Sequence, residues 1–319
     1  MPLLVGIDEA GFGPILGPLV VSSSSFSLGR QILEADLWQI LKRSVGARRK
    51  HLAGRLLVTD SKKAYSKSLG IGHLQRTVLA FLRRLGKRPA TLGELVALLS
   101  GDLLGRLAEY PWYADASSFP LSADEADEKI ASQVLADDLA SNGIELLDLR
   151  SRCLDVACYN RMVEGVRNKA NVLFTATAGL INEAFDAADG DTLHVVADRQ
   201  GGRVHYRKVL RVMFPETELT ILRENPAGSS YELRTHRRLM RLHFVVGADE
   251  RFLPVSLASM VSKYLRELLV GSINRYFTGF GVDIKPTAGY WKDGLRFLDD
   301  LRTQLPHVHV DNARLIRCR

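Results

Sequence analysis

The stretch Gly6-Ile7-Asp8-Glu9-Ala10-Gly11-Phe12-Gly13-Pro14, followed by Gly17-Pro18-Leu19-Val20, decides how this chain is read. Residues 3 to 7 form an apolar, partly β-branched run that stops at Asp8, and after Pro18 a second run from Leu19 to Phe26 alternates loosely before Gly29. Two strands joined by a Gly/Pro-rich turn are predicted. Strand alternation points Asp8 and Glu9 to different sides unless the chain turns there, and the glycines at 11 and 13 supply such a turn. Strand ends are where α/β sheets place ligands. Gly11-Phe12-Gly13 brushes against a dinucleotide-binding fingerprint, but Pro14, Pro18 and a β-like run where a helix should begin argue against it.

Further along, Arg55-Leu56-Leu57-Val58 reads as a third strand ending before the polar group Thr59-Asp60-Ser61-Lys62-Lys63. A helix is expected from about 73 to 85, with Leu74, Val78, Phe81, Leu82 and Leu85 at helical spacing. Residues 90 to 150 read as two or more helices, one opened by the capping pattern Ser122-Ala123-Asp124-Glu125. A helix over 168–187 precedes a strand at 193–197 that ends at Asp198, and another helix starts near Pro254. This order predicts a mixed α/β sheet. The division expected is a main domain of residues 1–84 and 151–319 and a helical insertion or small subdomain at 85–150.

The chain has 319 residues, 46% hydrophobic and 25% charged, with a formal net charge of +7. Those are values of an ordinary globular protein whose surface favours a polyanion over a cation. The charge is unevenly distributed. Fourteen Lys and Arg lie between Lys42 and Arg88 against Asp60 alone, whereas Asp115 to Asp148 holds nine acids against Lys129 alone. A basic face turned to phosphates, with an acidic face pointing away, is one expectation; two unrelated solvated helix faces are the other. Three cysteines without paired spacing predict reduced thiols in a cytoplasmic protein. No targeting segment and no run of about 20 apolar residues is present, so no membrane span is expected.

Asp198 repeats the arrangement at Asp8, an acid where a buried strand emerges. A fourth acid, Glu267, lies in the helix after Pro254, where Ser259, Ser262, Lys263 and Arg266 interrupt the apolar pattern. If these acids converge they form an oxygen-only site suited to Mg²⁺ or Mn²⁺. Two such ions can activate a water and stabilise the leaving oxygen of a phosphodiester. Simpler roles compete: Asp8-Glu9 as turn caps, Asp198 as a turn acid, and Glu267 as the i,i+4 partner of Lys263.

The opening stretch strongly resembles the first signature of type 2 ribonucleases H. Asp60-Ser61-Lys62-Lys63 resembles that family's second motif, Val196-Ala197-Asp198 its third acid, residues 253–267 the helix that carries its fourth acid, and Ala288-Gly289-Tyr290 its glycine-tyrosine motif. The resemblance implies a ribonuclease H-like fold, a mixed five-stranded sheet flanked by helices, with two Mg²⁺ or Mn²⁺ ions held by Asp8, Glu9, Asp198 and Glu267. The implied activity is cleavage of RNA paired with DNA, or of ribonucleotides embedded in duplex DNA, by a monomer. The binding residues it implies are Gly11, Phe12, Gly13, Ser61, Lys62, Lys63, Lys263 and Tyr290. The chain departs from the family at Phe12, where Arg or Lys is usual, and at Glu267, where Asp is usual, although type 3 ribonucleases H also use a fourth Glu. It departs again at Arg199-Gln200-Gly201-Gly202-Arg203, where Arg199 and Arg203 either replace the phosphate contact missing at Phe12 or stand as solvated turn arginines. Two alternatives keep the same fold: a nucleic-acid binder that has lost catalysis, and a nuclease for another substrate.

Overall fold

A computed structural model describes residues 1–66, 68, 70–121, 124–188 and 192–318. In chain order the elements are β1 (Leu3–Ala10), β2 (Leu19–Ser27), α1 (Leu37–Ile40), β3 (Val45–Gly46), β4 (Leu56–Leu57), α2 (Ser61–Ala64) and α3 (Gly72–Arg84). They continue with α4 (Leu92–Leu99), α5 (Gly101–Leu107), α6 (Glu125–Ser141), β5 (Glu145–Leu154), α7 (Val156–Val166) and α8 (Lys169–Ala187). The remainder is β6 (Thr192–Asp198), α9 (Arg207–Met213), β7 (Glu218–Asn225), β8 (Gly228–Arg234), β9 (Leu239–Val245), α10 (Leu253–Thr278), α11 (Trp291–Gln304) and α12 (Asn312–Leu315).

The main sheet runs β5-β2-β1-β6-β9-β8-β7. β1, β6 and β9 are parallel neighbours, while β2 and β5 on one side and β8 and β7 on the other are antiparallel. The mixed α/β sheet stands as expected, but with seven strands in place of five, because the hairpin β7–β8 extends it beyond β9. The strand expected to end at Val58 is also corrected. It shortens to β4 and pairs with β3 in a separate two-stranded sheet.

Period-two alternation sorts the central strands between two cores. Leu4, Val20, Phe26 and Val196 face α10 and join its Val255, Leu257 and Val261, whereas Val5, Ile7, Leu19, Val21, Val195 and Ala197 face α8 and join its Val172, Leu173 and Ile181. The serine run follows the same rule. Ser24 Oγ donates to the Pro254 carbonyl at 2.7 Å, and Ser262 Oγ lies 2.8 Å from Ser22 Oγ, so small hydroxyls let α10 lie close on the sheet.

Residues 85–150 supply α4, α5, α6 and the first part of β5, so the boundary read at 150 falls inside a strand of the main sheet. Leu92, Leu95, Leu103, Leu135 and Leu139 belong to the same core as Leu4 and Val255. Ser122 and Ala123 of the expected capping pattern lie outside the described residues. The N-cap of α6 is Asp124, whose carboxylate accepts from the Ala126 and Asp127 amides, both at 3.1 Å.

The expectation of separate basic and acidic faces is corrected for α3 and α6. The two helices pack together and their charges pair: Arg76 Nε to Asp127 at 2.5 Å and Arg83 Nε to Glu128 at 2.7 Å, with Lys87 Nζ reaching Asp148 at 3.0 Å. Opposite charges on adjacent surfaces neutralise each other here. Among the described residues of the basic block, Lys42, Arg43, Arg48, Arg49 and Lys50 form a run of exposed cations. Among the described residues no helix is long and apolar enough to cross a membrane, and the three cysteines are free.

A candidate carboxylate site at the strand ends

Asp8 lies on the side of β1 that faces α10, buried, with its backbone carbonyl 3.0 Å from Ser262 Oγ and its carboxylate hydrogen-bonded to Ser259. Burial, the charge of Glu9 and that of Asp249 push the Asp8 carboxyl well above the usual range, against the opposing Ser259 hydrogen bond. Glu9, one residue on, faces Asp198 at the end of the neighbouring parallel strand. Desolvation and the Asp198 charge raise it to about 7, with Lys62 pulling the other way. Asp198 is also raised by burial. Backbone amides of Ala248, Arg199 and Gly247 stabilise its carboxylate, the Ala248 N–H at 2.9 Å.

A fifth acid, Asp249, was not singled out in the sequence. It sits four residues beyond β9, in the turn that Asp198 caps, and burial with the charges of Asp60 and Asp198 raises it to about 6. Its signal was present: Met240, Leu242 and Phe244 alternate inward before it, the same acid-after-strand pattern that marked Asp8 and Asp198.

The second motif meets these acids. Asp60 caps α2 by accepting from the Lys62 amide at 2.9 Å, and Ser61 Oγ accepts from Ser259 Oγ at 3.0 Å. The Lys62 ammonium is held by Asp60, Asp249, Asp8 and Asp198, which raise it despite partial burial. Lys63 turns outward to Glu250 at 2.7 Å. One lysine therefore stands among Asp8, Glu9, Asp60, Asp198 and Asp249, and the carboxyls of Asp8, Glu9 and Asp249 are raised by burial and by the charge of their acidic neighbours. That surplus of hard oxygen donors and negative charge fits a divalent cation. Among the described residues no group of three or more His, Cys, Asp or Glu side chains lies close enough to hold an ion as placed.

Glu267 is held elsewhere. It pairs with Lys263 at 2.7 Å and Arg266 at 3.3 Å, so the i,i+4 role open in the sequence is the one the structure shows. Lys263 Nζ lies 4.7 Å from the Tyr65 ring centre, and Arg266 sits 5.9 Å from that of Tyr290, which is exposed. The Arg266 guanidinium is buried and donates to the Ala288 carbonyl at 3.0 Å. The Gly11–Gly17 loop rests on it. Gly11 has φ +94°, and a Cβ there would stand 2.6 Å from Arg266 Nε. Gly289, φ +81°, accepts from the Ile15 amide at 2.8 Å, which joins the glycine-tyrosine motif to that loop. Gly13 is exposed at the tip.

Arg199 and Arg203, read as replacing the phosphate contact missing at Phe12 or as solvated turn arginines, each make a hydrogen bond within the fold. Arg199 Nη1 donates to the Pro226 carbonyl at 2.6 Å, and Arg203 Nη2 to Asn171 Oδ1 at 2.7 Å while its guanidinium lies over the Phe174 and Tyr206 rings. Arg203 is thus drawn onto α8, and Arg199 onto the turn between β7 and β8. The cation beside Phe12 is Lys169, 5.3 Å from its ring centre.

The Asp249 shift predicts a stability effect. A carboxyl raised from 3.8 to about 6 keeps its proton longer in the folded state, so its stabilisation is complete below pH 3.8 and is lost as pH rises through about 6. Asp249→Asn is expected to raise stability at pH 8 by roughly 2 kcal/mol, below the ~3 kcal/mol of the full shift because solvent screens this partly exposed group, and to flatten the fall between those pH values. Thermal melts of both proteins across pH 4 to 8 measure it; identical pH profiles would refute the clustering.

Fold and site together define an α/β protein whose parallel strands end in a carboxylate cluster. No protein-family profile matches the chain, and no curated protein does. Among solved structures it is similar to the RNase HII of Archaeoglobus fulgidus, solved in complex with PCNA, at 16% identity and a TM-score of 0.44 over 99% of this chain and 94% of that one. It is similar to Aquifex aeolicus RNase H3 at 15% identity and TM-score 0.40, over 98% and 71% of the two chains. It is similar also to Bst-RNase HIII in complex with Mn²⁺ at 12% identity and TM-score 0.42, over 99% and 66%. At these identities and TM-scores the likeness transfers no residue role.

Proposed function

We propose that this protein is a metal-dependent endoribonuclease that cuts the RNA strand of RNA/DNA hybrids, or ribonucleotides embedded in duplex DNA. The observation that carries the reading is the position of Asp8, Glu9 and Asp198 at the ends of adjacent parallel strands, where burial raises all three carboxyls, the charge of Glu9 adds to the rise at Asp8, and that of Asp198 adds to the rise at Glu9. A pure binder of polyanions gains nothing from gathering carboxylates against its ligand. Asp8, Glu9 and Asp198 would hold Mg²⁺ or Mn²⁺, with Asp249 as the fourth acid in preference to Glu267. When bound, the ions supply an activated water and charge neutralisation at the phosphodiester.

The other groups have roles that follow from their positions. Lys62 offers a point charge to the scissile phosphate, Lys263 is held in place by Glu267 and Tyr65, and the exposed Tyr290 offers a ring face to a sugar or base. Gly11 and Gly13 give the substrate backbone close access, and Phe12 with Lys169 replaces the usual cation of that loop. Glu267, held by Lys263 and Arg266, favours one competing reading, that of a binder of the same fold without catalysis.

Three labelled duplexes decide between these: an RNA/DNA hybrid, a DNA duplex with one embedded ribonucleotide, and plain DNA, each with Mg²⁺ or Mn²⁺. Cleavage confined to ribonucleotide-containing strands is expected. Binding without cleavage under either metal would establish the binder, and cleavage of plain DNA would establish a nuclease of different substrate.

A further inference from the structure

Beside the carboxylate cluster, on the other side of the turn that carries Asp249, lies a groove of about 880 Å³ between residues 33–55 and 250–254. Lys42, Arg48, Lys50 and Arg251 line it, with Trp38 in its wall. We propose that this groove is a nucleic-acid backbone site, which takes the substrate duplex where it runs past the carboxylates and adds affinity without taking part in cleavage. The proposal rests on the reading of the protein as one that acts on nucleic acid.

The groove is built rather than a chance gathering of surface lysines. The loop that displays the cations is held by Arg55, whose Nε donates to the Leu52 carbonyl at 2.8 Å, Nη1 to Lys42 at 3.1 Å and Nη2 to His51 at 2.6 Å. His51 and Ala53 adopt left-handed backbone with φ +67° and +49°. For side-chain-bearing residues that conformation costs on the order of 1 kcal/mol each and persists where the surroundings enforce it. Ser44 fixes the loop's base: its amide and hydroxyl both donate to buried Asp138 of α6, at 2.9 and 2.8 Å. The Trp38 indole is fixed by its N–H to the Val58 carbonyl at 2.8 Å.

The charge balance also favours a polyanion. Arg76, Arg83 and Lys87 are neutralised by acids of α6 and β5, whereas Lys42, Arg43, Arg48, Arg49 and Lys50 stand exposed. Of the acids that line the groove, Glu250 is paired with Lys63, which leaves Glu34 and Asp36 against Lys42, Arg48, Lys50, Arg55 and Arg251. Glu250 and Arg251 follow Asp249 directly, so a backbone leaving the carboxylates reaches the groove within a few ångströms of chain. A rigid loop of cations continuous with the site suits a regular row of phosphates.

The test uses the triple variant Arg48→Ala/Arg49→Ala/Lys50→Ala of the full chain. Binding is measured without divalent cations on a short RNA/DNA hybrid and on one extended by a helical turn, about 10 base pairs, at several salt concentrations. The wild type is expected to bind the longer hybrid more tightly and with a steeper salt dependence. The variant should lose that gain, its slope falling by about 2 to 3 for as many lost phosphate contacts, with kcat on the short hybrid unchanged. Loss of kcat together with unfolding would be settled by Arg48→Glu, a single exposed change expected to show the same length-dependent loss. Equal affinity and slope for variant and wild type on both hybrids would overturn the groove while leaving the proposed activity intact. Absence of cleavage by the wild type, with the length-dependent loss present, would overturn the activity and keep the groove.

Discussion

Asp8→Asn is expected to abolish cleavage while making the folded chain more stable at neutral pH. The first half follows from position: Asp8 stands between Glu9 and the α10 hydroxyls and interacts with Asp249, so its charge is central to any cation held there. Loss of that charge should lower kcat at least about 10³-fold, which is about 4 kcal/mol of transition-state stabilisation. The second half follows from burial. The Asp8 carboxyl is raised well above the usual range chiefly by desolvation, so the folded state resists its ionisation. Its contribution to stability is complete below the ordinary carboxylate range and is lost as pH rises through the raised value. Asn keeps an acceptor for Ser259 and carries no charge to desolvate. Melting temperature at pH 8 should therefore rise as activity disappears. A residue kept for structure alone behaves in the opposite way, and an active Asp8→Asn with a lowered melting temperature would refute the assignment of Asp8.

How far the sequence reached depends on what each element is made of. β1, β2 and β6 alternate between two cores, so their pattern and the acids at their ends were legible without coordinates. β7 is mostly exposed. It has no buried face to leave a period in the sequence, and with the buried β8 it adds two strands to the five that the resemblance implied. Asp249 escaped because it carries the same acid-after-strand signal in weaker form, four residues beyond β9 in a turn held by Asp198, whereas Asp8 and Asp198 lie within their strands. Glu267 shows the reverse. Its spacing from Lys263 predicted the local ion pair correctly, whereas the resemblance placed it with the other acids. Spacing fixes neighbours on one helix turn; it says nothing about which strand end that turn faces. The charge blocks at 42–88 and 115–148 suggested either opposed faces or two unrelated solvated faces, because pairing across two helices leaves no trace in either segment alone.

Two glycines of the opening stretch should behave in opposite ways on substitution by Ala, and the contrast tests the fold itself. Gly6 lies in the middle of β1, paired with Ser24 and Val196. A Cβ built there would lie 2.5 Å from the Pro254 carbonyl oxygen and nearer still to the Pro254 carbonyl carbon and the Val255 nitrogen. These are backbone atoms at the start of α10, and no rotamer change moves them aside. The helix as a whole must shift, and Ser259, Ser262 and Arg266 shift with it, the residues that hold Asp8 and the Gly11 loop. Overpacking of a close-packed interior costs about 1 to 3 kcal/mol where side chains can give way. Here the obstacle is main chain, so Gly6→Ala should reach roughly 3 kcal/mol or more, read as a lowered urea midpoint, with a loss of cleavage larger than the stability change alone explains. Gly13 meets nothing within 4 Å of its would-be Cβ, and Gly13→Ala should stay within about 0.5 kcal/mol of the parent. Equal midpoints for the two variants would mean that α10 does not cross β1 at Gly6. Because Asp8 is two residues further along the same face of that strand, its contact with α10 would be wrong as well.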